Sequence, residues 1–276
     1  MISLQKYSGL PIEMDVDFNL EFGNEIGPVT PKIREFPFVK NYLKNPHSPY
    51  HRRDVYHIYR DVALLKDKDK IHRSGLEYDL TVIPPGKIGD EFVKTIGHHH
   101  PFKAGTQIRF PEVYEVMYGK AFFILQSASA DLLRLQDVYI VEAGRGEKVV
   151  VPPGFGHVSV NPTNNVLVLA NFQALKNDGL YEPFEAHNGA AYYVVESRRL
   201  GQGGKTSNEF EFVPNLNYAT LPAYKKVRPR ELPKYDLLSA LPMYFTGVRS
   251  LENLDFLVNP ENYLEEIIPE KLFKVA

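Results

Sequence analysis

The chain has 276 residues, of which 43% are hydrophobic and 24% charged, with 32 basic against 34 acidic side chains. That length suffices for one large domain or a domain with appendages, and the composition is that of an ordinary folded globule rather than a disordered chain. The near balance of charge removes nucleic acid from the expected partners, and the absence of cysteine excludes disulfides and thiolate metal sites, leaving histidine and carboxylate as the strong ligands available.

Residues 1–77 are punctuated by proline and less regular than the middle of the chain, so they are expected to pack on a separate core. Within them Asp54–Tyr59 has the character of a strand, and Asp15–Phe22 that of a segment covering a sheet edge. Met1–Met14 lacks a basic stretch followed by an apolar run, so no secretory signal is expected. Apolar runs such as Val166–Ala170 are far too short to cross a bilayer. A cytoplasmic protein without a membrane partner is the expectation.

From about Tyr78 to Glu196 the chain is a series of short β-rich runs separated by Gly, Pro, Asn and Asp. The runs are Tyr78–Ile83, Glu91–Ile96, Glu112–Met117, Lys120–Gln126, Asp137–Glu142, Lys148–Val151, His157–Val160, Val166–Phe172 and Ala191–Glu196. Their length and spacing predict an antiparallel sandwich or barrel over residues 78–196 rather than alternating βαβ units. Pro84-Pro85-Gly86 and Pro152-Pro153-Gly154 supply turns between apolar runs. Residues 197–208, with Gly201, Gly203 and Gly204, read as a flexible connector. Residues 209–276 read as a small helical extension, with short helices over Asp236–Phe245, Leu251–Val258 and Glu261–Ile267. Asp236 is positioned to cap the first of these, and Asn259 with Pro260 to start the last.

Three histidines and one carboxylate stand out within the β region. Side chains alternate faces along a strand, so His98 and His100 share a face while His99 points away. Glu112 and Tyr114 share a face on the next strand, with Glu115 opposed, and His157 opens a strand directly after the Pro-Pro-Gly turn. Two histidines at i and i+2 are usually surface residues. If these four converge, however, three imidazoles and a carboxylate suit Fe, Mn, Ni, Zn or Co and leave positions open for a substrate.

These residues carry a resemblance to the cupin superfamily. Gly146, Pro152, Gly154, His157 and Asn161 fit its second signature without a gap. His98, His100, Glu112 and Gly119 match the first, except that eleven residues rather than three or four separate His100 from Glu112. The insertion, Pro101 to Pro111, is expected to form a longer loop at the barrel mouth. The resemblance implies an all-β core built as a cupin double-stranded β-helix, or jelly-roll barrel.

Within cupins, the stretch from Leu80 through Thr81, Pro85-Gly86-Lys87 and Thr95-Ile-Gly97-His98 to Glu112-Val-Tyr114 resembles the archaeal-type glucose-6-phosphate isomerase family. The likeness runs from about Asp54 to Glu196. It implies a metal-dependent aldose–ketose isomerase acting on a sugar phosphate, with one divalent ion, Fe²⁺ foremost, on His98, His100, Glu112 and His157. Glu112 and Tyr114 would be catalytic, and Thr81, Thr95, Gly97 and Tyr181 would bind the substrate. A homodimer is the implied assembly. One departure is expected to matter: Phe172 stands where the family has a tyrosine. A cupin Fe(II) oxygenase and a non-catalytic metal- or sugar-binding cupin are the alternatives.

Overall fold

The computed structural model describes residues 1–132, 134–175, 177–200 and 206–276. Apolar runs of four to ten residues, broken by glycine and proline turns, pair into sheets because each strand has an apolar face to bury. Thirteen strands matter for the site: β1 (Lys32–Glu35), β2 (Asp54–Tyr59), β3 (Leu76–Ile83), β4 (Glu112–Tyr118), β5 (Lys120–Ala128), β6 (Leu135–Gly144), β7 (Lys148–Val151), β8 (Phe155–Val160), β9 (Leu167–Ala174), β10 (Tyr192–Leu200), β11 (Thr206–Pro214), β12 (Tyr224–Pro229) and β13 (Phe273–Val275).

Two larger sheets hold the core. One runs β7-β4-β9-β3-β2-β1 and the other β8-β5-β6-β12-β13. Neighbours are antiparallel except β6 and β12, which run parallel through Val138↔Tyr224 to Val141↔Val227. Phe123, Leu125, Val138, Ile140, Val149 and Leu169 are among the side chains fully removed from solvent. A four-stranded sheet of β11, β10, Glu91–Phe92 and Lys87–Ile88 covers the outer side of β5, where Phe122 meets Phe210 at 4.6 Å and Phe212 at 5.2 Å between ring centres. A small three-stranded sheet, Ile2–Ser3, Ile12–Met14 and Leu20–Phe22, forms in the N-terminal segment.

Every strand expected between Tyr78 and Glu196 has a counterpart, most of them longer than the sequence runs by a residue or two at an end. Glu91–Ile96 is the exception, reduced to the two-residue strand Glu91–Phe92 and isolated bridges at Lys94 and His98. Residues 197–200 and 206–208, expected in a connector, are strand, paired in register from Ser197↔Glu209 to Leu200↔Thr206. Gly201, Gly203 and Gly204 lie outside the described residues.

The C-terminal region is not purely helical, because β12 and β13 extend the five-stranded sheet. Asp236 does not cap the start of a helix. It follows the turn Pro233–Tyr235 in the left-handed region (φ 52°), and the helix begins only at Met243, after Pro242. Proline halts the earlier run, and its fixed φ suits the residue that precedes a new helix. Asn259 and Pro260 start only a short 3-10 turn, Pro260–Asn262, and the helix expected over Glu261–Ile267 does not form, the next one beginning at Pro269.

Candidate metal centre

His98 and His157 meet as an antiparallel bridge, the His157 N–H donating to the His98 carbonyl at 3.0 Å. His157 therefore reaches the site from the five-stranded sheet. Glu112, the first residue of β4, comes from the six-stranded sheet, where it pairs with Val151 and Gln173. One ligand atom from each of His98, His100, Glu112 and His157 lies within 4.8 Å of the others. The Nε2 atoms of His100 and His157 both stand 3.2 Å from Glu112 Oε2. No local pattern produces this set, since it depends on the two sheets facing each other.

The alternation expected for the triple histidine holds. The His99 backbone pairs with Leu180, and its ring lies against Phe184 on the side away from the cluster. The choice of Glu112 over Glu115 has a physical reason as well. Glu115 faces the opposite side of β4, where it pairs with Lys148 at 3.0 Å and accepts from the Met243 N–H at 2.8 Å. The insertion after His100 also bears on the site. The His100 Nδ1–H donates to the Phe110 carbonyl at 2.8 Å, and Arg109 donates to the His100 carbonyl at 2.7 Å. That arrangement fixes the tautomer and leaves the Nε2 lone pair aimed at Glu112.

The donor chemistry fits a divalent ion. Burial holds the His98 and His157 imidazoles below their ordinary pKa, helped at His98 by the neighbouring His157 and His100, so both are neutral and able to ligate. Burial alone would raise the pKa of Glu112, but the His100 and His157 imidazoles beside it pull it the other way, well below the usual carboxylate range. His100 Nε2 and Glu112 Oε2 are buried with no hydrogen-bond partner. Orphaned buried donors and acceptors are costly, and two that face each other are what a cation would satisfy.

A cavity opens above this cluster. Thr81, Thr95, Tyr114 and Tyr181 line it together with His98, Glu112 and His157. The Tyr114 hydroxyl lies 2.9 Å from His157 Nε2, and burial keeps this phenol protonated far beyond neutral pH. Thr95 Oγ1 accepts from the Ser159 N–H at 3.0 Å, which leaves its own O–H free to donate. The Tyr181 ring stands 5.4 Å from that of His98. Gly97 does not line the cavity. A Cβ there would fall 2.1 Å from the Phe184 ring, so its glycine is a packing requirement.

Phe172 faces away. It is fully buried against Tyr78, 4.7 Å between ring centres, with Gly247 of the C-terminal helix beneath it. Its neighbours Asn171 and Gln173 line the cavity instead, as alternation along β9 requires. The missing hydroxyl at 172 is therefore no loss to the site.

Five polar lining residues escaped the reading of the sequence: Arg34, Arg60, Asp79, Asn171 and Gln173. Asp79 and Thr81 share a face of β3, so period-2 spacing from Thr81 would have found the aspartate. Arg60 pairs with Asp79 and lies 3.5 Å from Glu77, while Gln173 donates to both carboxylates at 2.8 and 2.9 Å. Arg34 sits on an edge strand far away in sequence and gave no local signal.

The profile of the family described as glucose-6-phosphate isomerase matches residues 42–210. Glucose-6-phosphate isomerase of Thermococcus litoralis is 32% identical over 107 residues, 39% of this chain and 47% of that protein. The Thermococcus kodakarensis enzyme of the same name is 30% identical over 165 residues, 57% of this chain and 75% of its own length. The chain thus spans about half the length of the first of these relatives. Among solved structures, a recombinant oxalate oxidase in complex with glycolate is 16% identical with a TM-score of 0.35, over 51% of this chain and 62% of that one.

Proposed function

The chain belongs to the glucose-6-phosphate isomerase family, and on that premise we propose that it interconverts glucose 6-phosphate and fructose 6-phosphate. The observation that carries this reading is the convergence of His98, His100, Glu112 and His157 at the floor of a cavity walled by Thr81, Thr95, Tyr114 and Tyr181. Aldose–ketose isomerisation moves one hydrogen from C2 to C1 and one proton from O2 to O1, with no net oxidation. His98, His100, Glu112 and His157 would hold a divalent ion, which would supply electrophilic stabilisation of the charge that develops on those two oxygens. Fe²⁺ is the ion we expect, and Mn²⁺, Ni²⁺, Zn²⁺ or Co²⁺ suits the same donors.

Glu112, ionised and buried, is placed to accept and return a proton, and Tyr114 offers its neutral O–H beside it as a donor. Thr81 and Thr95 would donate to the phosphate from the cavity wall, with Tyr181 closing the same side. The two larger sheets, facing each other across this cavity, are then the two halves of a cupin jelly-roll barrel. The proposed assembly is a homodimer acting in the cytoplasm, to be checked by sedimentation against the 31.5 kDa chain and by cell fractionation. Among the described residues no helix is long and apolar enough to cross a membrane.

A coupled assay of fructose 6-phosphate conversion tests the reading. Activity is expected to vanish with EDTA and to return with Fe²⁺ or Mn²⁺. Turnover that survives complete metal removal refutes the metal role. Dioxygen uptake without isomerisation would make the chain an oxygenase, and calorimetric binding without conversion would make it a binding protein.

A further inference from the structure

Among the described residues Arg34 has no counter-ion, and it stands at the wall of the cavity. It lies on edge strand β1 opposite Tyr56, and Tyr56 and Ile58 on β2 line the same cavity. Register alternation puts Lys32 on the same face and turns Ile33 away. A bulge between Arg34 and Glu35 interrupts the pairing here, a device that commonly re-aims a side chain beside a site.

Two rings hold the guanidinium in place. Its Cζ is 4.8 Å from the centre of Phe38 and 5.5 Å from that of Tyr181, and Nη2 donates to the Tyr181 hydroxyl at 3.5 Å. Nε is buried and has no hydrogen-bond partner. Among the described residues no carboxylate stands within ion-pair distance of Arg34, whereas Arg60, the other arginine of the cavity, is bound by Asp79. The charge of Arg34 is felt nearby, since it is the main reason that the Lys32 ammonium titrates below the usual lysine range. A planar fork stacked between rings, desolvated on one side and unneutralised, is arranged for a bidentate oxyanion. Tyr181 touches both this fork and the His98 ring, which joins the anion end of the cavity to the metal end.

We propose that Arg34 binds the phosphate of the sugar phosphate and sets the preference for phosphorylated over free sugar. This rests on the isomerase reading. It adds a residue that the family resemblance does not supply, because Arg34 precedes the matched span 42–210. A ring-stacked arginine loses little conformational freedom on binding, so its contribution appears in affinity more than in turnover.

The test compares wild type, Arg34→Gln and Arg34→Lys, each metal-replete and checked for cooperative thermal unfolding. In Arg34→Gln the KM for fructose 6-phosphate should rise about tenfold to a hundredfold, the range of a charge-assisted hydrogen bond, with kcat nearly unchanged. Arg34→Lys should recover part of the loss, and it carries the test if the Gln variant does not fold. Inorganic phosphate, titrated by calorimetry, should bind more weakly to the Gln variant by a similar factor. An unchanged KM in a folded, active variant overturns the role of Arg34 and leaves the isomerase standing. If the wild type does not isomerise, the isomerase reading falls, and calorimetry alone decides Arg34: phosphate binding lost in Arg34→Gln supports it, and equal binding refutes it.

Discussion

His157 and His99 are both buried but differ in what lies opposite their rings, and that difference gives the sharpest test of the metal set. His157 points its Nε2 at Glu112, while His99 is packed against Phe184 and Gly156, where burial and the nearby Arg109 push its pKa down to about 3. His157→Ala should therefore lose bound metal by elemental analysis. His99→Ala should keep full metal and lose only stability, through the void it leaves. Equal metal loss in both would break the assignment. Thr95 is the second case, with its O–H free to donate into the cavity. Thr95→Val should raise KM for the phosphorylated sugar about tenfold, leave metal content intact, and leave unphosphorylated sugars indifferent. At this scale the four candidate ligands could be picked out because histidine spacing and signature glycines are local, while their convergence depends on the fold. Arg34 was not, since a lone arginine on a short strand has no pattern until the fold delivers it to a cavity. Sequence alone gives the place of Phe172 along β9, and only the sheet gives the face it takes.

On β4 the two glutamates divide the work by face. Glu112 serves the cavity. Glu115 and Lys148 form a buried pair on the other side, with the Lys148 ammonium also donating to the carbonyls of Gly146, Leu238 and Leu241 at 2.5 to 2.8 Å. This pair ties β4 and β7 to the C-terminal segment just before the helix Met243–Arg249. Gly146 belongs to the same junction: its φ is +86°, and a Cβ would come 2.5 Å from the Ser239 carbonyl oxygen. Glu115→Ala strands a buried ammonium and a backbone donor at Met243, which should cost about 3–5 kcal/mol in urea unfolding. Metal binding by the folded fraction should survive. A loss below about 1 kcal/mol would mean that the pair is solvated in solution. Strand existence was readable from alternation and turn residues, and strand ends were not, because pairing partners set them. The helix expected from Asp236 failed for a tertiary reason. The Asp236 side chain accepts from Asn253 and its carbonyl from Thr246, which commits the residue to a turn.

Across the whole molecule, the cavity is built by strands that must bury charge, and that leaves a mark on stability. Glu77 and Asp79 on β3 share Gln173 and Arg60, and all but Glu77 line the cavity. Burial, with the Asp79 charge beside it, raises the Glu77 pKa to about 7 against the opposing pull of Arg60. The folded state therefore holds a proton on Glu77 that the unfolded chain releases near its ordinary value of 4.5. Stability from this group is complete below that value and is lost as pH rises through about 7, because ionisation then favours unfolding. Asp79, Glu91 and Glu115 are also raised by burial, while Glu142 is lowered by Lys120 and Lys226 against its burial. The total pH profile is thus a sum that no single residue dictates, and only a difference isolates Glu77. Glu77→Gln keeps an acceptor and removes the titration. Its stability relative to wild type, from urea midpoints, should improve between about pH 5 and about pH 8. A difference that stays flat, or falls, across that window would show that Glu77 is ionised in the fold and that Arg60 outweighs its burial.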